Sequence, residues 1–304
     1  VNYLGIGEIM VELAPAEAGF FRRGFAGDTF NTAWYVRRLL PADWDVSYAT
    51  WVGKDAISDE MLSFIAEQGI GTETIRRVPD RTVGLYMIQT RDGERSFTYW
   101  RGQSAARDLG QDADWLDSVL AGRDMVQFSG ITLAILPPEA RQRFCAALER
   151  ARKAGAHVAF DTNLRPRLWE SPAAMAEGLT LGASVSDTVM PSFDEEVLAF
   201  GDTTPEDTIA RYRAGGARCV AVKNGSETCH VWSEDEGLVR HDPPAIAKVV
   251  DSTAAGDSFG AGFLAARATG ALLAEATRRA AELAAEVIQR RGALAPEIFE
   301  GDDT

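Results

Sequence analysis

The strongest constraint on this chain is an alternation that runs through most of its length. Short apolar runs at 125–130, 158–161, 188–190 and 218–222 are separated by stretches of helical period. Runs so short and so apolar read as strands buried on both faces, the environment of a parallel sheet covered by helices. The segment 137–154 opens on prolines, stops before Gly155, and puts Ala140, Phe144, Leu148 and Ala151 on one face, as expected of a helix packed on such a sheet. Ile57, Met61 and Ile65 mark another helix over 55–68, and further helices are predicted at about 170–182, 193–199, 205–214, 256–269 and 271–290. Segments 1–13 and 45–52 read as strands, 227–232 and 237–241 as a late hairpin, and the acidic tail 297–304 as frayed. The pattern predicts a doubly wound, mainly parallel sheet, with ligands at the carboxyl ends of its strands.

One stretch breaks the alternation. Segments 82–90 and 95–101 are both strand-like and are joined by Arg91-Asp-Gly-Glu94, where Asp-Gly is a hairpin signal and no helix intervenes. These strands form a small β lid, with a contribution from about residues 12–23.

Composition limits the partners. The net charge of −14 argues against nucleic acid and anionic membrane surfaces. An anionic substrate then needs local arginines, because the global field is screened beyond about 8 Å. No apolar run reaches the roughly 18 residues of a membrane span, and no signal peptide is apparent. Cys145, Cys219 and Cys229 lack metal-ligand spacing and suit a reducing cytoplasm, and His157, His230 and His241 form no cluster, so no structural metal is expected.

Chemistry concentrates in Asp251-Ser-Thr-Ala-Ala-Gly-Asp257. Ala254, Ala255 and Gly256 let a ligand approach the backbone, and Phe259, Phe263 and Ala266 start a helix immediately afterwards. The helix mouth, with unpaired amides and the positive dipole end, is an anion site. Asp257 is either the helix cap or a base placed beside that anion; an anion cradle with a base is the minimum apparatus for phosphorylating a hydroxyl. No Walker-type phosphate loop occurs.

This stretch resembles the D-T-x-G-A-G-D signature of the ribokinase-like (PfkB) carbohydrate kinases. Ser252 stands where Thr is usual, and Ala254 stands where the first glycine is usual, which requires φ below zero at Ala254. More than two hundred residues earlier, Gly24-Phe-Ala-Gly27-Asp28-Thr-Phe-Asn31 resembles the family's N-terminal signature, with Ala26 replacing its first glycine. The resemblance implies a single ribokinase-like α/β domain over 1–304, doubly wound, with a discontinuous β lid from about 12–23 and 82–101. It implies ATP and Mg²⁺, leaves a monovalent cation open, and makes Asp257 the general base with the amides of Ala254, Ala255 and Gly256 as the anion hole.

Gly27, Asp28 and Asn31 then bind sugar hydroxyls. Glu195 ends the family's N-x-x-E motif and is associated with magnesium, although Ser192 replaces its Asn. Lys223, Asn224 and Gly225 resemble the nucleotide-contacting loop, with Asn163, Arg165 and Ser192 also on the nucleotide side. Without the family, Lys223 reads as a surface lysine at a strand end.

Within the family, Tyr99-Trp-Arg101, the run Asp161 to Trp169, Pro191 to Glu195 and the Thr-Ala-Ala turn resemble the 2-keto-3-deoxygluconate kinases over nearly the whole chain. Such a substrate carries a carboxylate, which Arg101 and Arg165 would grip, with Tyr86 and Tyr99 nearby; Arg165 is equally placed for ATP phosphate. The alternatives are another PfkB sugar kinase (fructokinase, ribokinase or 5-dehydro-2-deoxygluconokinase) and a non-catalytic sugar-binding regulator. The lid implies a homo-oligomer.

Overall fold

The computed structural model describes residues 1–91 and 94–300. Eight strands form one sheet, in the spatial order Gly237–His241, Cys229–Ser233, Cys219–Val222, Thr188–Val189, His157–Asp161, Met125–Ser129, Asn2–Ile6 and Asp45–Ala49. The last six are parallel, and the late hairpin is antiparallel at one edge. The chain runs outward in opposite directions from Asn2–Ile6, which lies between Asp45–Ala49 and Met125–Ser129. That reversal opens a crevice at the carboxyl ends of the central strands.

Helices cover both faces. Pro138–Lys153 buries Ala140, Phe144, Leu148 and Ala151, and Phe144 meets Phe128 edge-on at 5.7 Å while Phe128 stacks on Phe160 at 4.7 Å. Across the sheet, Asp28–Leu39 and the closing helices Ala255–Ala268 and Leu273–Val287 pack together, burying Phe30, Trp34, Tyr35, Ala261 and Ala265.

The lid is a four-stranded sheet in the order Phe21–Ala26, Met10–Pro15, Gly84–Arg91 and Glu94–Trp100. Its central pair is parallel and its outer pairs antiparallel. Strand Phe21–Ala26 runs into helix Asp28–Leu39 with only Gly27 between them. The predicted Asp92-Gly93 turn lies outside the described residues, as does 301–304 of the acidic tail.

Three expectations change. The stretch 1–13 is two strands in two sheets, Asn2–Ile6 and Met10–Pro15, because an apolar run carries no mark where the chain passes from one sheet to the next. The stretch 45–52 divides likewise, and Trp51–Val52 pairs with Arg76–Arg77. Short helices at Ala113–Leu120 and Gly130–Ile135 were not predicted; Asp112 caps the first through Trp115 N at 2.9 Å, and Ser129 and Thr132 form a capping box on the second. Among the described residues no helix is long and apolar enough to cross a membrane.

Candidate active site

The site assembles where strand ends meet a helix mouth. Strand His157–Asp161 delivers Asp161, and Cys219–Val222 delivers Lys223, whose Nζ lies 2.9 and 2.8 Å from the two Asp161 oxygens. Lys223 is fixed by its backbone as well: its N–H donates to Pro191 O at 2.8 Å, and its carbonyl accepts from Phe193 N at 2.8 Å. Its ammonium reaches the helix mouth, since a Cβ on Gly256 would stand 3.1 Å from Nζ. A side chain at 256 would therefore crowd that ammonium, which would have to give by a few tenths of an ångström.

Asn163 occupies a positive φ of 30°, a region Asn tolerates better than most residues. Its N–H donates to Asp161 Oδ1 at 3.1 Å and its Nδ2 to Asp28 Oδ2 at 2.9 Å. Asn31 donates through Nδ2 to Asp257 Oδ2 at 2.8 Å and accepts through Oδ1 from Gly27 N at 3.4 Å. Gly27, Asp28 and Asn31, expected on the sugar side, and Asn163, expected on the nucleotide side, thus lie together with Asp257.

Asp257 is 8% exposed. Burial, then the Asp28 carboxylate, pushes its carboxyl up to about 7; the Asn31 bond opposes this and Asp161 adds to it. Burial also raises Asp28.

The turn itself requires two corrections. Ala254 has φ 61° and ψ 15°, so the requirement of φ below zero is not met; the left-handed position is occupied by a residue with a Cβ, at a cost on the order of 1 kcal/mol. Ala254 packs against a small apolar cluster of Met10, Ala26, Tyr86, Ile88 and Ala293, and its carbonyl accepts from Ser258 N at 2.9 Å. The amide of Ala255 donates to Ser252 O at 3.2 Å, so it is engaged within the turn. Among the described residues the amides of Ala254 and Gly256 donate to no protein group. Asp251 holds the turn in place, accepting from Thr253 N at 3.1 Å and Gly292 N at 2.7 Å.

The arginines are not free. Arg165 Nη1 lies 2.8 Å from Glu195 Oε1, and the other Glu195 oxygen accepts from Leu164 N at 2.9 Å. Arg101 is 8% exposed and ion-paired with Glu8. On the lid, Gly24, Glu12, Tyr86 and Tyr99 stand in register across the four strands. The Tyr86 hydroxyl donates to Glu12, and the Tyr86 and Tyr99 rings are 5.9 Å apart. Tyr99 is 49% exposed, and its hydroxyl, raised by burial, is drawn down by both Arg101 and Arg165. Gly225 sits two residues past Lys223 in an exposed turn at φ 58°.

Each of the three cations therefore carries an acidic partner: Arg101 with Glu8, Arg165 with Glu195, Lys223 with Asp161. Asp28, Asp257 and Glu12 are met instead by uncharged donors. Glu8 and Glu12 were missed from the sequence. The available signal was two isolated acids within the apolar run 1–13.

A buried carboxylate beside free amides at a helix mouth, roofed by a small sheet at the carboxyl edge of a parallel one, is the site of an α/β sugar kinase. The model for pfkB family carbohydrate kinases matches residues 4–298, and the chain belongs to that family. It is 39% identical to the 2-dehydro-3-deoxygluconokinase of Dickeya dadantii (strain 3937) over 97% of each chain. It is 40% identical to the enzyme of the same name from Escherichia coli (strain K12) over 96% of each. Among solved structures, a PfkB protein from Polaromonas sp. JS666 superposes with a TM-score of 0.83 at 28% identity, covering 99% of both chains.

Proposed function

We propose that this enzyme transfers the γ-phosphoryl group of ATP to the terminal hydroxyl of 2-keto-3-deoxygluconate (2-dehydro-3-deoxy-D-gluconate), giving the sugar-acid phosphate and ADP. The observation that carries the chemistry is Asp257, buried at the helix mouth with its carboxyl raised to about 7 and oriented by Asn31. A base tuned near the working pH takes the hydroxyl proton as that oxygen attacks phosphorus. The substrate assignment is supported by relatives of that name matching nearly end to end.

The amides of Ala254 and Gly256, with the helix dipole behind them, meet the charge of the transferring group. Lys223 adds a positive charge beside Gly256, suited to nucleotide phosphate, with Asn163, Ser192 and Gly225 on the same side. Among the described residues no three His, Cys, Asp or Glu side chains are grouped to hold a metal. A cation carried on the phosphates would have Glu195 as its candidate carboxylate. Mg²⁺ supplies neutralisation of phosphate oxygens when bound. Gly27, Asp28 and Asn31 bind sugar hydroxyls, and Tyr86, Tyr99, Arg101 and Arg165 line the lid side, the arginines taking the carboxylate. The lid closes over the sugar to exclude water, which would otherwise compete for the phosphoryl group.

Three buried free thiols favour a reducing cytoplasm, and exposed Phe20, Phe21 and Trp100 on the lid favour pairing with a second copy. Light scattering on wild type and Trp100→Glu tests the pairing; a monomeric wild type sinks it. The decisive experiment is a coupled ATP assay over sugar acids and neutral sugars, with and without potassium. Preferential turnover of the keto acid is expected; turnover confined to neutral ketoses would move the assignment to a fructokinase or ribokinase activity.

A further inference from the structure

Glu8 lies two residues past the carboxyl end of strand Asn2–Ile6, in the crevice where the sheet's winding reverses and the chain crosses into lid strand Met10–Pro15. It is 2% exposed, an uncommon place for a carboxylate unless it is paired. One oxygen, Oε2, is paired with Nη2 of Arg101, which stands where lid strand Glu94–Trp100 returns to the body. The pair therefore bridges two of the crossings between sheet and lid. Gly84, at the start of the neighbouring lid strand, makes room for it: a Cβ there would be 2.8 Å from Glu8 Oε1.

The pairing is incomplete. Among the described residues neither Glu8 Oε1 nor Arg101 Nε has a hydrogen-bond partner. A buried guanidinium with an idle donor is costly unless another acceptor arrives. Arg101 faces the site: its guanidinium lies 5.7 Å from the Tyr99 ring centre, and its charge acts on both Asp28 and Tyr99. Arg165 acts on the same tyrosine.

We propose that Glu8 is a positioning residue for substrate recognition, holding Arg101 at the foot of the lid so that its guanidinium meets the substrate carboxylate. This rests on the keto-acid reading above. Glu8 itself need not touch the sugar. An unpaired arginine at the foot of the lid would have to be ordered at each binding event, and Glu8 removes that requirement.

The test is a double-mutant cycle on the full chain, with KM for the keto acid, KM for ATP and kcat measured separately. Glu8→Ala should raise the keto-acid KM about 30-fold, the worth of a charge-assisted hydrogen bond, while kcat and the ATP KM stay within about three-fold. In an Arg101→Ala background the same change should add nothing. Glu8→Gln keeps an acceptor for Nη2 and should hold the keto-acid KM within about three-fold of wild type. Should Glu8→Ala not fold, Glu8→Asp, one methylene too short, replaces it in the cycle. Equal effects of the Glu8 change with and without Arg101, or a parallel loss in all three constants, would overturn the proposal and leave Glu8 a packing residue. A wild type that turns over no keto acid removes the functional reading instead, so the two failures are distinct.

Discussion

Asn31 and Asp257, separated by 226 positions in the chain, are joined by a 2.8 Å bond from Nδ2 to Oδ2. It is the hydrogen bond that holds the buried carboxylate toward its ionised form, against burial and the neighbouring Asp28. Such a bond to a charged group is worth about 1.5–3 kcal/mol, and one pKa unit is about 1.4 kcal/mol. Asn31→Ala should therefore move the acidic limb of kcat/KM upward by about one pH unit, besides weakening sugar binding. A pH–rate profile with an unmoved limb would detach Asn31 from the base.

In the wild type, kcat/KM should climb as pH rises through about 7 and then level, because Asp257 must be ionised to accept a proton. Asp257→Asn should lower kcat by about 10³-fold and abolish that limb. Sugar binding by calorimetry should survive. Normal turnover in the variant would remove Asp257 from the chemistry.

The same carboxyl ties stability to pH. The folded protein keeps the Asp257 proton up to about 7, whereas an unfolded aspartate releases it near ~4. Between those values the folded state binds more protons, so this residue's contribution to stability is full below about 4 and falls as pH rises toward 7. Urea denaturation should show Asp257→Asn gaining on the wild type across that window and holding its advantage above it. A constant difference from pH 4 to 8 would contradict the raised carboxyl.

Lys223 and Asp161 form an ion pair with side chains 12% and 6% exposed. Removing one member leaves a buried charge uncompensated, so Lys223→Met should cost about 3 kcal/mol and raise the KM for ATP. Lys223→Met with Asp161→Asn should be more stable than Lys223→Met alone. Additive losses in denaturant melts would show that the two charges do not depend on each other.

The two arginines should separate by stability. Arg165 has a half-exposed side chain, and Arg165→Ala should cost less than about 1 kcal/mol. Arg101→Ala strands Glu8 and should cost about 3 kcal/mol. Both should raise the keto-acid KM by about ten-fold or more; unchanged values in both would end the carboxylate-clamp assignment.

The sheet was legible because burial on both faces writes itself into runs such as 125–130 and 158–161, and the lid because its hairpin strands lack a crossover helix. The helix mouth at 254–257 was legible from its small residues and bracketing aspartates. The pairings were not. Glu8 with Arg101 and Glu12 with Tyr86 join residues 93 and 74 positions apart, and no local periodicity links them. The left-handed Ala254 was missed for a related reason: a local rule excludes the methyl there, and packing against an apolar cluster of residues distant in sequence favours it.

Gly27 separates the lid strand Phe21–Ala26 from the helix that carries Asp28 and Asn31, and its N–H reaches the same Asn31 amide that donates to Asp257. A roof hung from so short a tether is joined to Asp257 through two hydrogen bonds of one side chain. On the proposed mechanism, the position of the roof and the hydrogen bond that orients Asp257 therefore share one joint, Gly27.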